Sequence, residues 1–125
     1  MTYTTEEKKR IDAVLLAFQD YISQHHYFDI LYSEKRGYIH LTLERDFIDA
    51  TEIKDPTHLF HMLLIDVIND VQDLFLCGEH IDGALFPEEK EEIRRRMQPF
   101  FNRLPRPLQI TYPKRMEYEL ENYND

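Results

Sequence analysis

The sequence predicts an α+β fold, with helices packed on one face of an antiparallel sheet. Three observations carry that expectation. Ile11, Val14, Leu15, Phe18 and Ile22 recur with the 3.6-residue period of an amphipathic helix. Residues 27–44 switch to strand-like alternation around a loop containing Gly37. Asp55-Pro56 then opens a long segment that returns to helical period. The expected order is helix, β-hairpin, helix, helix and C-terminal strand, in a single domain over residues 1–125.

The first helix is expected over about residues 5–25, with Thr4 and Glu7 at capping-box spacing. The hairpin follows, with residues 34–37 as its loop and Gly37 able to take the left-handed conformation that closes it. Pairing Ser33 with Tyr38 puts Phe28, Ile30 and Tyr32 on one face with Ile39, Leu41 and Leu43. The other face then carries Asp29 and Leu31 with His40 and Thr42, so apolar patterning favours this register. Residues 47–53 can add a short third strand.

Asp55 and Pro56 form a helix start, and Leu59, Phe60, Leu63, Leu64, Val67 and Ile68 begin its apolar stripe. Cys77-Gly78 should end that helix and Asp82-Gly83 should turn the chain. Pro87 opens a further helix, expected over about 87–98, with Glu91–Arg95 and Glu92–Arg96 as i,i+4 pairs. Pro99, Pro105, Pro107 and Pro113 argue for extended chain beyond it. Leu108, Ile110 and Tyr112 alternate as a strand does, and residues 113–125 read as an extended tail.

Composition narrows the function classes. Ile, Leu, Val and Phe number 36 of 125 residues, enough for a core in a 15.2 kDa chain. No apolar run approaches a membrane span, and residues 1–7 lack a signal-peptide pattern, so a soluble cytoplasmic protein is expected. One cysteine excludes an internal disulfide and a multi-cysteine zinc site. The net charge of −9 is unevenly spread: −1 over residues 1–43, −11 over 44–92 and +3 over 93–125. An acidic chain is repelled by nucleic acid and anionic lipid, so neither is the expected partner.

Catalytic and metal-binding patterns are thin. His58 and His61 stand one helical turn apart, but Leu59 and Phe60 lie between them and no third ligand is in step. His25-His26 suits a helix C-terminus. His40 beside Asp29 on the hairpin's wet face resembles a held general base, yet no nucleophile accompanies it. Asp66, Asp70 and Asp73 follow helical spacing, as a solvated face does, without the Glu-x-x-His of a two-metal bundle. Cys77 at a helix end reads as a packing residue. Three glycines and two serines leave no phosphate loop and no nucleophile elbow.

The expected function is therefore a non-catalytic protein–protein interaction or regulatory protein, with no cofactor. Its basic surface would be the 94–115 segment, carried by Arg94, Arg95, Arg96, Phe100, Phe101, Arg103 and Arg106. Pairing that segment with the acidic middle of a second copy predicts a homodimer. Two alternatives come from other classes. One is a nucleic-acid-linked protein, by RNA contact through those arginines or by acidic DNA mimicry. The other is a small metal-dependent enzyme using His58 and His61.

Overall fold

Thr4 caps the first helix as its spacing predicts. Its hydroxyl accepts from Glu7 N–H at 3.0 Å, and the Glu7 carboxylate accepts from Thr4 N–H at 2.8 Å. The computed structural model describes residues 3–43, 46–75 and 84–123. Its fold is α+β, with five helices and one three-stranded antiparallel sheet among the described residues. Contacts divide the chain into two compact units, Met1–Met62 and Leu63–Asp125.

In the first unit, the expected single helix is two. α1 (Thr5–Ala17) stops at Phe18, which leaves helical geometry at φ −103°, ψ 8°, and α2 (Gln19–Gln24) resumes. No Pro or Gly marks the break. Phe18 is fully buried and meets Phe60 edge-on, with ring centroids 6.5 Å apart, and the chain bends at the residue that fills the core.

The sheet runs in the order β1 (Phe28–Ser33), β2 (Gly37–Leu43), β3 (Ile48–Glu52), so the third strand is present. The hairpin register differs from the expected one by a single residue. Ser33 pairs with Gly37 rather than Tyr38, and Ile30 pairs with His40 rather than Leu41. Gly37 does take a positive φ, +75°, but it belongs to the strand and leaves only residues 34–36 as the loop. One slip turns the whole of β2 over. Tyr38, His40 and Thr42 share the inner face with Phe28, Ile30 and Tyr32, while Ile39, Leu41 and Leu43 point outward. Apolar patterning misled here because the inner face accepts aromatic rings with polar tips. Tyr38 donates its hydroxyl to Asp12 of α1 at 3.1 Å, and His40 stacks on Phe28 at 5.5 Å.

α3 (Pro56–Phe75) starts where Asp55-Pro56 predicts, with the Asp55 carboxylate accepting from His58 N–H at 2.8 Å. The boundary between the units falls within this helix. Cys77-Gly78 and Asp82-Gly83 lie outside the described residues.

The second unit corrects two expectations. α4 (Pro87–Arg103) runs five residues past its expected end, through Pro99. α5 (Arg106–Asn122) is a helix where a strand and an extended tail were expected. Pro105 and Pro107 stand at its cap and first turn, where N–H groups have no intrahelical partner to lose. Pro99 and Pro113 each remove one internal bond. Burial outweighs that loss: Leu108, Tyr112, Met116 and Leu120 recur every four residues and all are buried. The two-residue alternation of Leu108, Ile110 and Tyr112 was the misleading pattern, since Ile110 is exposed.

Candidate functional site

The basic segment folds into a hairpin of helices in which Arg94, Arg95, Arg96 and Arg115 turn back on its own carboxylates. Arg94 meets Glu117 of α5 through Nε at 2.9 Å and Glu91 through Nη1 at 3.2 Å. Arg96 Nε lies 2.8 Å from Glu92, and Arg95 also pairs with Glu92. The expected Glu91–Arg95 pair is thus replaced by i,i+3 pairs, Glu91–Arg94 and Glu92–Arg95. Hydrogen bonds from Arg95 and Arg96 hold the Glu92 carboxyl down to about 2. Lys90 adds a 3.6 Å contact to Glu121, so acidic residues late in α5 face basic residues of α4. That inter-helix pairing offsets the unfavourable charge order along α5.

The aromatics of the segment divide in the same way. Phe101 is buried and Phe100 is half-buried, with the Arg103 guanidinium 6.0 Å from the Phe100 ring centre. Arg106 is exposed at the start of α5. Arginines engaged this way have less to give to phosphates, and Phe101 is part of the core.

His58 caps its helix. His58 Nδ1 accepts from Lys54 N–H at 2.9 Å while the His58 backbone N–H donates to the Asp55 carboxylate, a reciprocal helix cap. Burial lowers the His58 pKa, and the charges of Lys54, His61 and His40 add to that against the opposing effect of Asp55. His58 Nε2 alone remains for any other ligand, and His61 is half-buried one turn on. His40 is 2% exposed on the inner face, opposite Ile30 and Thr51. Its expected placement beside Asp29 on a wet face is therefore wrong, and the general-base pairing goes with it. Asp66 and Asp70 are half-buried and Asp73 is exposed. Among the described residues no group of three or more His, Cys, Asp or Glu is placed to hold a metal ion. Cys77 lies outside the described residues.

The feature that sequence reasoning missed is the outer face of the sheet. Because β2 is turned over, Ile39, Leu41 and Leu43 stand beside Leu31 of β1 and Ile48 and Ala50 of β3. Leu31 is 45% exposed, Leu43 39% and Ile48 66%, with Phe47 61% exposed just before β3. Ile39 and Leu41 lie half-buried between them. Single exposed apolar residues are ordinary, whereas a contiguous apolar face is not. The signal was in the chain: Ile39, Leu41 and Leu43 alternate cleanly, and only their side of the sheet was misassigned. Asp29 and the Arg36–Glu52 ion pair, at 3.0 Å, flank the apolar patch.

No protein-family model, curated protein or solved structure matches this chain. None of the described helices is long and apolar enough to cross a membrane.

Proposed function

We propose that this is a non-catalytic interaction protein that works as a homodimer, joined through the outer face of its sheet. The carrying observation is the open apolar face of Leu31, Ile39, Leu41, Leu43 and Ile48. Antiparallel sheets often leave one face to water, but that face is then polar. Burying a large apolar side chain contributes roughly 1.5–3 kcal/mol, so a few such residues on each copy supply a useful driving force.

A second copy fits this face for two reasons. Two-fold packing buries the same apolar patch on both partners, and two-fold dimers are the commonest soluble oligomers. This moves the expected dimer contact away from the arginine segment, where Arg94, Arg95 and Arg96 already pair with carboxylates of their own helical hairpin.

Sedimentation velocity at tens of micromolar tests the reading. Wild type should sediment as a dimer, and a Leu43→Asp, Ile48→Asp double variant as a folded monomer. Both substituted positions are exposed, so the variant keeps its core. A monomeric wild type contradicts the proposal.

A further inference from the structure

Along the free edge of β1, an open groove of about 490 Å³ runs between α1, α2 and the strand, with Leu31 and Asp29 at its outer rim. Leu15, Leu16 and Ile22 form its helical wall, and Ile30, Tyr32 and Tyr38 form its sheet wall. Among the described residues β1 is an edge strand. Leu43 N–H donates to Tyr27 C=O at 2.7 Å, which makes Tyr27 and Leu43 a hydrogen-bonded pair. In an antiparallel ladder such pairs alternate, so Asp29, Leu31 and Ser33 also direct their backbone groups to β2. Phe28, Ile30 and Tyr32 therefore direct theirs outward, along the groove.

The edge carries a local guard. The Asp29 carboxylate accepts from Ile30 N–H at 2.8 Å, occupying the position an incoming strand's carbonyl would take. The charged residues lining the groove are Asp12 and Asp29, both acidic.

The geometry points to this groove as a docking site for an extended peptide that adds to the edge of β1 and directs a lysine or arginine towards Asp12 and Asp29. Backbone bonds to Ile30 C=O and to Tyr32 N–H and C=O supply the pairing, while Ile30 N–H stays on Asp29, as strand-addition complexes can do at a partly guarded edge. Side chains on one face of the peptide meet Leu16 and Tyr32, which are 66% and 56% exposed. The cation meets two carboxylates that have no basic residue among the groove's lining. Charge also selects this occupant over a second copy of β1. Self-pairing along this edge brings two further carboxylates, one Asp12 and one Asp29, to a groove that already holds a pair. A basic peptide relieves that repulsion.

The probe is a fluorescein-labelled seven-residue peptide alternating lysine and valine, with fluorescence anisotropy as the readout. Two control peptides accompany it. One replaces lysine by glutamate, and the other keeps lysine but is N-methylated at alternate backbone nitrogens. The lysine peptide should bind at least tenfold more tightly than either control. Asp29→Asn keeps the acceptor for Ile30 N–H and removes the charge, and should weaken binding about fivefold. Leu16→Lys, at an exposed position, should weaken it tenfold or more. Amide shifts on adding peptide should centre on Ile30 and Tyr32. Undiminished binding of the N-methylated peptide would show that charge alone attracts the probe, and would overturn the proposal. So would absence of binding, shifts mapping away from β1, or β1–β1 pairing between two copies.

Discussion

The Tyr3 hydroxyl occupies the space a side chain at Gly37 would need: a Cβ there would lie 2.5 Å from the Tyr3 oxygen. That hydroxyl accepts from Tyr38 N–H at 3.0 Å and donates to Ile53 C=O at 2.8 Å. Ile53 N–H closes the other half of the rung on Tyr38 C=O at 2.9 Å. Tyr3 thus replaces one direct bond between the ends of β2 and β3. Glycine is required at 37 both by this close approach and by its φ of +75°.

Gly37→Ala should therefore destabilise the protein by more than the ~1–2 kcal/mol of left-handed backbone alone. Tyr3→Phe should cost about 1–3 kcal/mol, because Tyr38 N–H and Ile53 C=O each lose their bridge. Urea unfolding followed by circular dichroism measures both. A neutral Tyr3→Phe variant would mean the bridge adds nothing.

The register makes an ordered prediction. His40→Asp puts an unpaired carboxylate on the buried inner face and should cost several kcal/mol. Leu41→Asp, on the outer face, should cost about 1 kcal/mol or less in the folding of one subunit. The reverse order would restore the register that pairs Ile30 with Leu41.

Much of the fold is legible in the chain, and the exceptions share a cause. Thr4 with Glu7 and Asp55 with Pro56 announce helix starts because caps are local chemistry. The hairpin is legible as a hairpin, but its register turned on whether Gly37 counts as loop or strand. Tyr3, 34 residues away, decides that by packing over the glycine. α5 was hidden for a related reason. Its prolines are local signals against a helix, whereas Leu108, Tyr112, Met116 and Leu120 are buried by tertiary packing. The arginine segment was legible as charge, but Arg94's partner Glu117 lies in a helix the sequence did not reveal. The alternation of Ile39, Leu41 and Leu43 is visible in the chain, but which face of the sheet it occupies follows from the register.

His58 predicts a pH dependence. Its folded pKa lies below the ordinary imidazole value of about 6.5, chiefly through burial. The unfolded chain therefore takes up that proton more readily. The stabilisation is present above about pH 6.5 and is lost as pH falls towards the folded value. Urea midpoints between pH 7.5 and 5 should fall less steeply in His58→Asn than in wild type. Parallel slopes would assign the dependence to other groups.

Glu92 predicts persistence in acid. Its folded value of about 2 lies below the unfolded carboxyl value, so its contribution is present above about pH 4.5 and fades as pH falls through about 2. The difference in melting temperature between wild type and Glu92→Gln should be constant from pH 7 to 5 and shrink below pH 4. A difference unchanged at pH 2 would show that its ionised form does not matter.

The dimer through the outer sheet face is tested most directly by isotope-filtered nuclear Overhauser spectroscopy. The sample mixes ¹³C-labelled and unlabelled copies of the wild-type chain. An outer-face dimer gives intermolecular cross-peaks from the methyl groups of Leu31, Leu41, Leu43 and Ile48. No intermolecular cross-peaks at millimolar protein, or cross-peaks arising from Phe100 and Ile110 instead, would contradict it.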